Sequence, residues 1–329
     1  LLDEPTNHLD ISYQMSLLDS LKSWSLERGL TVIAILHDLN MASLYCDKVL
    51  LMDEGKVVEI NRPAHVMKED QLKEVYKANV GRREHPSVPS PLITLQPNQP
   101  SNPGLSLLQQ LKVTQTHDYI KVVSPLPLKT FSSAVLGAGF GWHQTFINRH
   151  VHKDYNVDDV DAEYRTYLEE HQIEAEGTIG MMTAACLEDV STKTITSKEF
   201  TVTSIVTAGV SNAVDAAKAY MHDDIVETIG TINTWVFIDG DLTDAAFVQA
   251  IMTATEAKVK ALQEEQVEDP VTQTIATGTS TDSIVIGASQ TGCKLPYAGT
   301  ITSLGRSIGR AVYEATIEAV QRNKERRGL

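Results

Sequence analysis

Cysteine is scarce in this chain. Three occur in 329 residues, Cys46, Cys186 and Cys293, and they form no C-x-x-C pair. That fits a reduced, cytosolic compartment. Positive charge is also short, with 28 Lys and Arg against 43 Asp and Glu, a formal net charge of −15. Such a balance argues against nucleic acid and against an anionic membrane surface, both of which select basic patches. No apolar run approaches the ~20 residues that span a bilayer, and no secretory leader, internal repeat or heptad pattern is visible. The phosphate loop G-x-x-x-x-G-K-[ST] is absent as well.

What is present divides in two. Residues 82–104 carry six prolines amid polar residues, and read as a linker between a segment at 1–81 and a domain at 105–329. The first segment alternates β and α. Asp10 is placed to cap a helix ending at Gly29. An apolar strand at 30–36, a helix from Asp38, strands at 48–52 and 57–60 and two short helices follow. The pattern predicts the second half of a parallel-sheet nucleotide domain. The second region is rich in Thr, Ser, Ala and Gly, with β-prone runs at 119–123, 130–135, 178–185, 193–198, 201–208, 231–238 and 283–286. Helices are predicted at 157–171, 212–220, 243–265 and 299–326, the last with Ile301, Leu304, Ile308, Val312, Ala315 and Ala319 on one stripe. The mixture predicts a layered mixed α/β domain.

The opening run LLDEPTNHLD supplies what magnesium-nucleotide hydrolysis needs. Two leucines end a buried strand, Asp3 at its tip can hold Mg²⁺ through water, and Glu4 can polarise a water for attack on a γ-phosphate. His37 ends a later strand, where it can touch that phosphate. His8 and His65 read as surface residues. The run closely resembles the Walker B and D-loop segment of an ABC-transporter ATPase. LHDLN resembles the switch-histidine segment of that family, and Asp10 matches its D-loop aspartate. MASLYCDKVLLMDEGKVVEINRPAHVM is similar to the C-terminal end of the iron-siderophore and cobalamin importers. The resemblance covers 1 to about 97 and implies a partial P-loop NTPase-type parallel sheet there. The family's LSGGQ signature is missing and residue 1 is not Met, so a fragment lacking its N-terminal part is expected. The resemblance implies Mg-ATP as cofactor, through Asp3, Glu4, Asp10 and His37, and a permease partner, in the intact protein only.

Beyond the prolines, five stretches stand out: FSSAVLGAGFG followed by Asn148-Arg149, TAGVSNA, GTINT, TEAK, and ATGTSTDS followed by YAGT. Their order and spacing resemble the adenosylcobinamide amidohydrolase (CbiZ) family over about 105–329. The resemblance implies hydrolysis of the amide joining aminopropanol to the corrin ring, giving adenosylcobyric acid for cobalamin salvage, with no cofactor required. It would place the chain in the cytoplasm, peripheral to the inner membrane face where a permease holds it, without membrane insertion. A homodimer is compatible. The rival reading is a corrinoid-binding or regulatory module without hydrolysis.

Amide hydrolysis needs a nucleophile or activated water, a base and oxyanion donors. Asp282 and Glu256 are the candidate bases. Thr279, Thr281, Ser132 and Ser133 are candidate hydroxyls. Asn148, Asn212 and Asn233 are candidate donors, with amides of a loop containing Gly137, Gly139 and Gly141, and with Thr277 and Gly278 beside the substrate. These groups are expected to converge around an open cleft. Each has a plainer reading: the glycines as a tight turn, Asp282 as a turn former, and Glu256 and Lys258 as a solvated or salt-bridged helix face. Cys293 is a weaker nucleophile candidate. The competing mechanism uses metal, through His150 and His152 with His143 and Asp154, or through His222 with Asp223 and Asp224.

Overall fold

The computed structural model describes residues 1–97, 107–222 and 230–328. The chain separates into two compact units, Leu1–Pro100 and Ser101–Leu329.

In the first unit, helix α1 (Ile11–Arg28) begins where Asp10 accepts the Tyr13 N–H and stops at Gly29, whose φ of 63° is the left-handed conformation glycine adopts freely. Helix α2 (Leu39–Tyr45) is capped by Asp38, which accepts the Asn40 and Met41 N–H groups. Strands β1 (Val49–Asp53) and β2 (Lys56–Asn61) form an antiparallel hairpin, and helices α3 (Pro63–Val66) and α4 (Glu69–Tyr76) follow. Leu51, Val66, Met67, Leu72, Val80 and Ile93 make the core.

Two expectations need correction here. The strand expected at 30–36 is reduced to one bridge, Leu2 to Ala34 in parallel sense. Ile33 and Ile35 are left exposed, so among the described residues the run has one partner where a central strand needs two. The span expected as linker is, through Leu95, a β-hairpin of β3 (Val80–Glu84) and β4 (Pro91–Leu95). Asn40 clamps it to α2, donating to the Ile93 carbonyl at 3.1 Å and accepting the Ile93 N–H at 2.7 Å. Pro86 and Pro89 fall in the turn and Pro91 opens β4, positions that forgo no ladder N–H.

The second unit is a mixed sheet. Its strands are β5 (Lys112–Gln115), β6 (Tyr119–Ser132), β7 (Gly139–His150), β8 (Thr178–Thr183), β9 (Ser191–Thr196), β10 (Thr201–Ala208), the two-residue β11 (Ala213–Val214), β12 (Ile232–Ile238), the short β13 (Asp241–Leu242) and β14 (Gly278–Thr279), β15 (Ser283–Ala288) and β16 (Lys294–Leu295). β11/β14 and β13/β16 are separate two-stranded pairs, and the main eight-stranded path runs β8-β7-β6-β15-β12-β10-β9, with β5 also paired to β6. Within it β7/β8 and β12/β15 are parallel and the rest antiparallel. Helix α5 (Val160–Glu170) buries Tyr164, Tyr167 and Leu168 with Ile147 and Leu136.

Alternation along the strands divides the core into two faces. Val202, Val236, Ile238, Ile286 and Ala288 pack against α6 (Asp244–Glu264) and α7 (Ser303–Arg327). Ile205, Trp235, Phe237 and Val285 face the other way, onto Phe146, Ile179 and Met181. Both long helices start on a threonine cap, Thr243 accepting the Ala246 N–H and Thr302 the Gly305 N–H. Alanines on both helices, among them Ala246, Ala250, Ala254, Ala311, Ala315 and Ala319, are fully or almost fully buried, small enough for the two to lie close.

Three further expectations change. Residues 212–220 form no α-helix, only the start of a single 3-10 turn at Ala219–Met221: Ala213 and Val214 pair with Thr279 and Gly278 as β11/β14, and Asp215 turns the chain by accepting the Ala217 N–H. Ile301 precedes the cap of α7 and is 78% exposed, off the buried stripe. Gly139 and Gly141 are not loop residues but the start of β7, opposite Ser132 and Thr130.

Candidate active site

Strand β12 enters the sheet beside β15 in parallel register, with Asn233 opposite Ser283 and Thr234 opposite Ile284. Both strands therefore begin at the same edge, and α6 runs over the connection between them. There Ile232, Thr234, Ala254, Thr255, Lys258, Asp282, Ser283 and Ile284 line a half-open cleft of about 140 Å³.

Asp282 organises it. Its Oδ1 accepts the Thr279 hydroxyl at 2.5 Å, the Thr279 N–H at 3.1 Å and the Ile232 N–H at 3.0 Å. Its Oδ2 meets the Lys258 ammonium, and both side chains are largely withdrawn from solvent. Gly278 is required by this pair, since a Cβ there would lie 2.4 Å from Asp282 Oδ2 and 2.9 Å from Lys258 Nζ. A carboxylate holding a hydroxyl on one oxygen and a cation on the other can orient that hydroxyl and receive its proton.

The turn bearing Thr279 is anchored from behind. Thr281 donates to the Gly230 carbonyl at 2.9 Å, and Thr231 to the Thr281 carbonyl at 2.6 Å. Thr277 accepts the Ala216 N–H at 2.9 Å, which fixes the β11 segment and leaves this hydroxyl a supporting part. Asn212 donates to Ser280 at 3.1 Å. Asp269, fully buried, pairs with His222 at 2.8 Å and accepts the N–H groups of Asp215, Val271 and Thr272. Burial pushes its pKa up, but these donors outweigh burial and hold the carboxyl well below the usual carboxylate range.

The expected convergence is met only in part. Asp282 lines the cleft, and Thr279, Gly278, Thr277 and Asn212 gather behind it without lining it, the last two as supports. Asn148 does not reach the cleft. Ile232 and Thr234 line it, so Asn233 between them points through to the opposite face. There Asn233 donates to Asn148 Oδ1 at 2.8 Å and to the Met182 carbonyl at 2.7 Å, and Asn148 donates to Thr207 at 2.8 Å. This buried chain ties β7, β8, β10 and β12 together. Glu256 is exposed on α6 and lines nothing. Gly137, Gly139 and Gly141 stay outside the cleft lining. Gly137, at φ 78°, packs on β8, where a Cβ would meet Ile179 Cδ1 at 2.7 Å.

Ser132 caps the Ala134 N–H at 2.9 Å, and Ser133 sits 3.3 Å from Ser283, beside the cleft. Among the described residues no group of three or more His, Cys, Asp or Glu could hold a metal ion. His143 is bonded to Thr130 at 2.7 Å and His152 to Asp154 at 3.1 Å on the surface. Asp223 and Asp224 lie outside the described residues. Cys293 packs against the α6/α7 core, and its Sγ hydrogen-bonds to Glu199 and the Lys294 carbonyl. The cleft residue that sequence reasoning undervalued is Lys258. Its signal was its place three residues after Thr255 on α6, a spacing that puts both on the face lining the cleft.

In the first unit Glu4 Oε1 lies 2.6 Å from His37 Nε2, so those two expected nucleotide-site residues meet. Asp3 and Asp10 are exposed, and Asp10 serves as the α1 cap.

The family model of adenosylcobinamide amidohydrolase, CbiZ, matches residues 104–328, well over half of the chain. The chain belongs to the adenosylcobinamide amidohydrolase family. The N-terminal region matches ABC-transporter ATP-binding proteins. The uncharacterized ABC transporter ATP-binding protein YvrA of Bacillus subtilis is 30% identical over 290 residues, 88% of this chain and 57% of that protein. The hemin import ATP-binding protein HmuV of Idiomarina loihiensis is 39% identical over 97 residues, 30% of this chain and 37% of that protein. The chain thus spans between about a third and three fifths of the length of these relatives. Among solved structures, the PH0078 protein of Pyrococcus horikoshii is 9% identical with a TM-score of 0.37, covering 64% of this chain and 79% of its own.

Proposed function

We propose that the unit containing residues 107–328 hydrolyses the amide joining aminopropanol to the corrin ring of adenosylcobinamide, releasing adenosylcobyric acid, and that the β12–α6–β15 cleft is where it does so. The observation that carries this reading is the shared carboxylate of Asp282, bonded at once to the Thr279 hydroxyl and the Lys258 ammonium. Membership of the family supplies the reaction class.

In this reading the Thr279 oxygen attacks the amide carbon while Asp282 takes the hydroxyl proton. Lys258 keeps positive charge beside the negative charge that develops. The C–N bond then breaks, the amine leaves with that proton, and an ester to Thr279 remains. Water hydrolyses the ester, restoring the hydroxyl and leaving the carboxylate on the ring. Net, one water is consumed and one amide becomes an acid and an amine. The N-terminal unit fits beside this as part of a corrinoid importer's ATPase, working with Mg-ATP and a permease in the longer protein, at the inner face of the membrane.

The test is direct. The full chain incubated with adenosylcobinamide should release aminopropanol in step with adenosylcobyric acid, and Asp282→Asn should not. A chain that binds the corrinoid without releasing the amine overturns the reading in favour of a binding module.

A further inference from the structure

The cleft is far smaller than a corrin ring, so a substrate of that class must rest mostly outside it. An apolar surface begins at the cleft's rim. On the sheet side Phe131 stacks on Phe140 with ring centroids 4.3 Å apart, and Phe140 meets the edge of Phe247 at 5.7 Å. Phe131 pairs in register with Ile286, two residues from the cleft residue Ile284. Trp142 lies opposite Lys129 in the β6/β7 ladder, two residues beyond Phe140 and therefore on the same face. Lys129 reaches back over both Phe140 and Phe247 and pairs with Asp244 at 2.6 Å, fixing this corner.

On the helix side Val248, Met252 and Thr255 follow at i, i+4 and i+7, one ridge of α6 that ends at the cleft. Its length is about 10 Å at 1.5 Å per residue, a distance that a macrocycle and its side arm together bridge. Phe140, Trp142, Val248 and Met252 are 47%, 58%, 46% and 56% exposed. Elsewhere in this unit Phe146 and Phe237 are wholly buried. Large apolar side chains gathered beside a polar cleft mark a surface that is covered when occupied.

We infer that Phe140, Trp142, Val248 and Met252 form the shelf on which the flat, methyl-rich macrocycle of the corrinoid lies while its amide arm enters the Lys258–Asp282 cleft. The inference rests on the proposed reaction for the identity of its ligand, but it concerns binding, and binding can be read without turnover.

The probe is adenosylcobyric acid, which keeps the ring and lacks the aminopropanol arm, measured against the full chain by equilibrium dialysis. Trp142→Ser and Met252→Glu are each expected to raise Kd about tenfold or more, the scale of stripping one large apolar side chain from a binding surface. Both residues are exposed, and Val248→Glu gives a third variant should either fail to fold by circular dichroism. Unchanged Kd in the folded variants overturns the shelf, whether or not aminopropanol is released. Weakened Kd in the variants, with no amine released by the parent chain, sinks the proposed reaction and leaves the shelf standing. Absence of ring binding by the parent chain overturns the shelf outright.

Discussion

Lys258 and Asp282, 24 residues apart in the chain, close an ion pair at the mouth shared by β12 and β15. The carboxylate is thereby fixed with its other oxygen on Thr279. Asp282→Asn keeps the shape and removes the proton acceptor. It is expected to lower kcat for aminopropanol release by ~10²-fold or more, the scale of positioned acid–base help. Near-normal turnover in a folded Asp282→Asn chain would remove Asp282 from the mechanism.

Thr279 separates an attacking hydroxyl from a packing residue. Thr279→Ser preserves the hydroxyl and should retain measurable turnover. Thr279→Val preserves the shape and should lose ~10²-fold or more in kcat. Equal rates in the two variants would assign the attack to water instead, with Thr279 as a support.

Asp269 offers a test through pH. Its carboxyl is more acidic in the folded chain than in the unfolded one, so its contribution to stability is complete above the unfolded value near pH ~4 and is lost as pH falls through the lower folded value. Asp269→Asn should therefore cost about 1–3 kcal/mol at neutral pH, the penalty of spoiling a buried, fully bonded acceptor. It should also flatten the acid limb of the stability curve. Denaturant titrations of both chains between pH 7 and pH 3 check this, and parallel acid limbs would count against it.

The 329-residue chain is expected not to hydrolyse ATP. Glu4 and His37 are within hydrogen-bond reach, yet the sequence holds no phosphate loop to cradle the nucleotide. Phosphate release assayed with Mg-ATP should stay at background, the same for Glu4→Gln. Turnover that Glu4→Gln abolishes would refute this.

Much of the architecture was legible because it is written in local patterns. Asp10 with Gly29, Asp38, Thr243 and Thr302 bracket helices by capping chemistry that needs no tertiary partner. The runs at 201–208 and 232–238 have the length and β-branching of buried strands. What misled was context. Asn212 to Tyr220 has helical composition, but Ala213 and Val214 are claimed by pairing with a segment more than sixty residues away. The prolines of 82–104 mark turn positions as readily as a linker. In the site, Asp282 and Thr279 were readable because they share one turn. Asn148 was misplaced because sequence does not tell which face of β12 its partner Asn233 occupies. Lys258 was undervalued because its partner lies beyond the helix that carries it.

Strands β12 and β15, with α6 between them, form one uninterrupted stretch of polypeptide, and that stretch also contains Lys258, Thr279 and Asp282. Chemistry and scaffold are therefore inherited together. An insertion or deletion within β12, α6 or the 278–288 run shifts strand or helix register and the cleft geometry in one event. Changes around α5 or the β3/β4 hairpin leave that stretch untouched. The boundary with the ATPase-like unit, between Pro100 and Ser101, lies far outside this block, so an exchange of domains there leaves the cleft undivided.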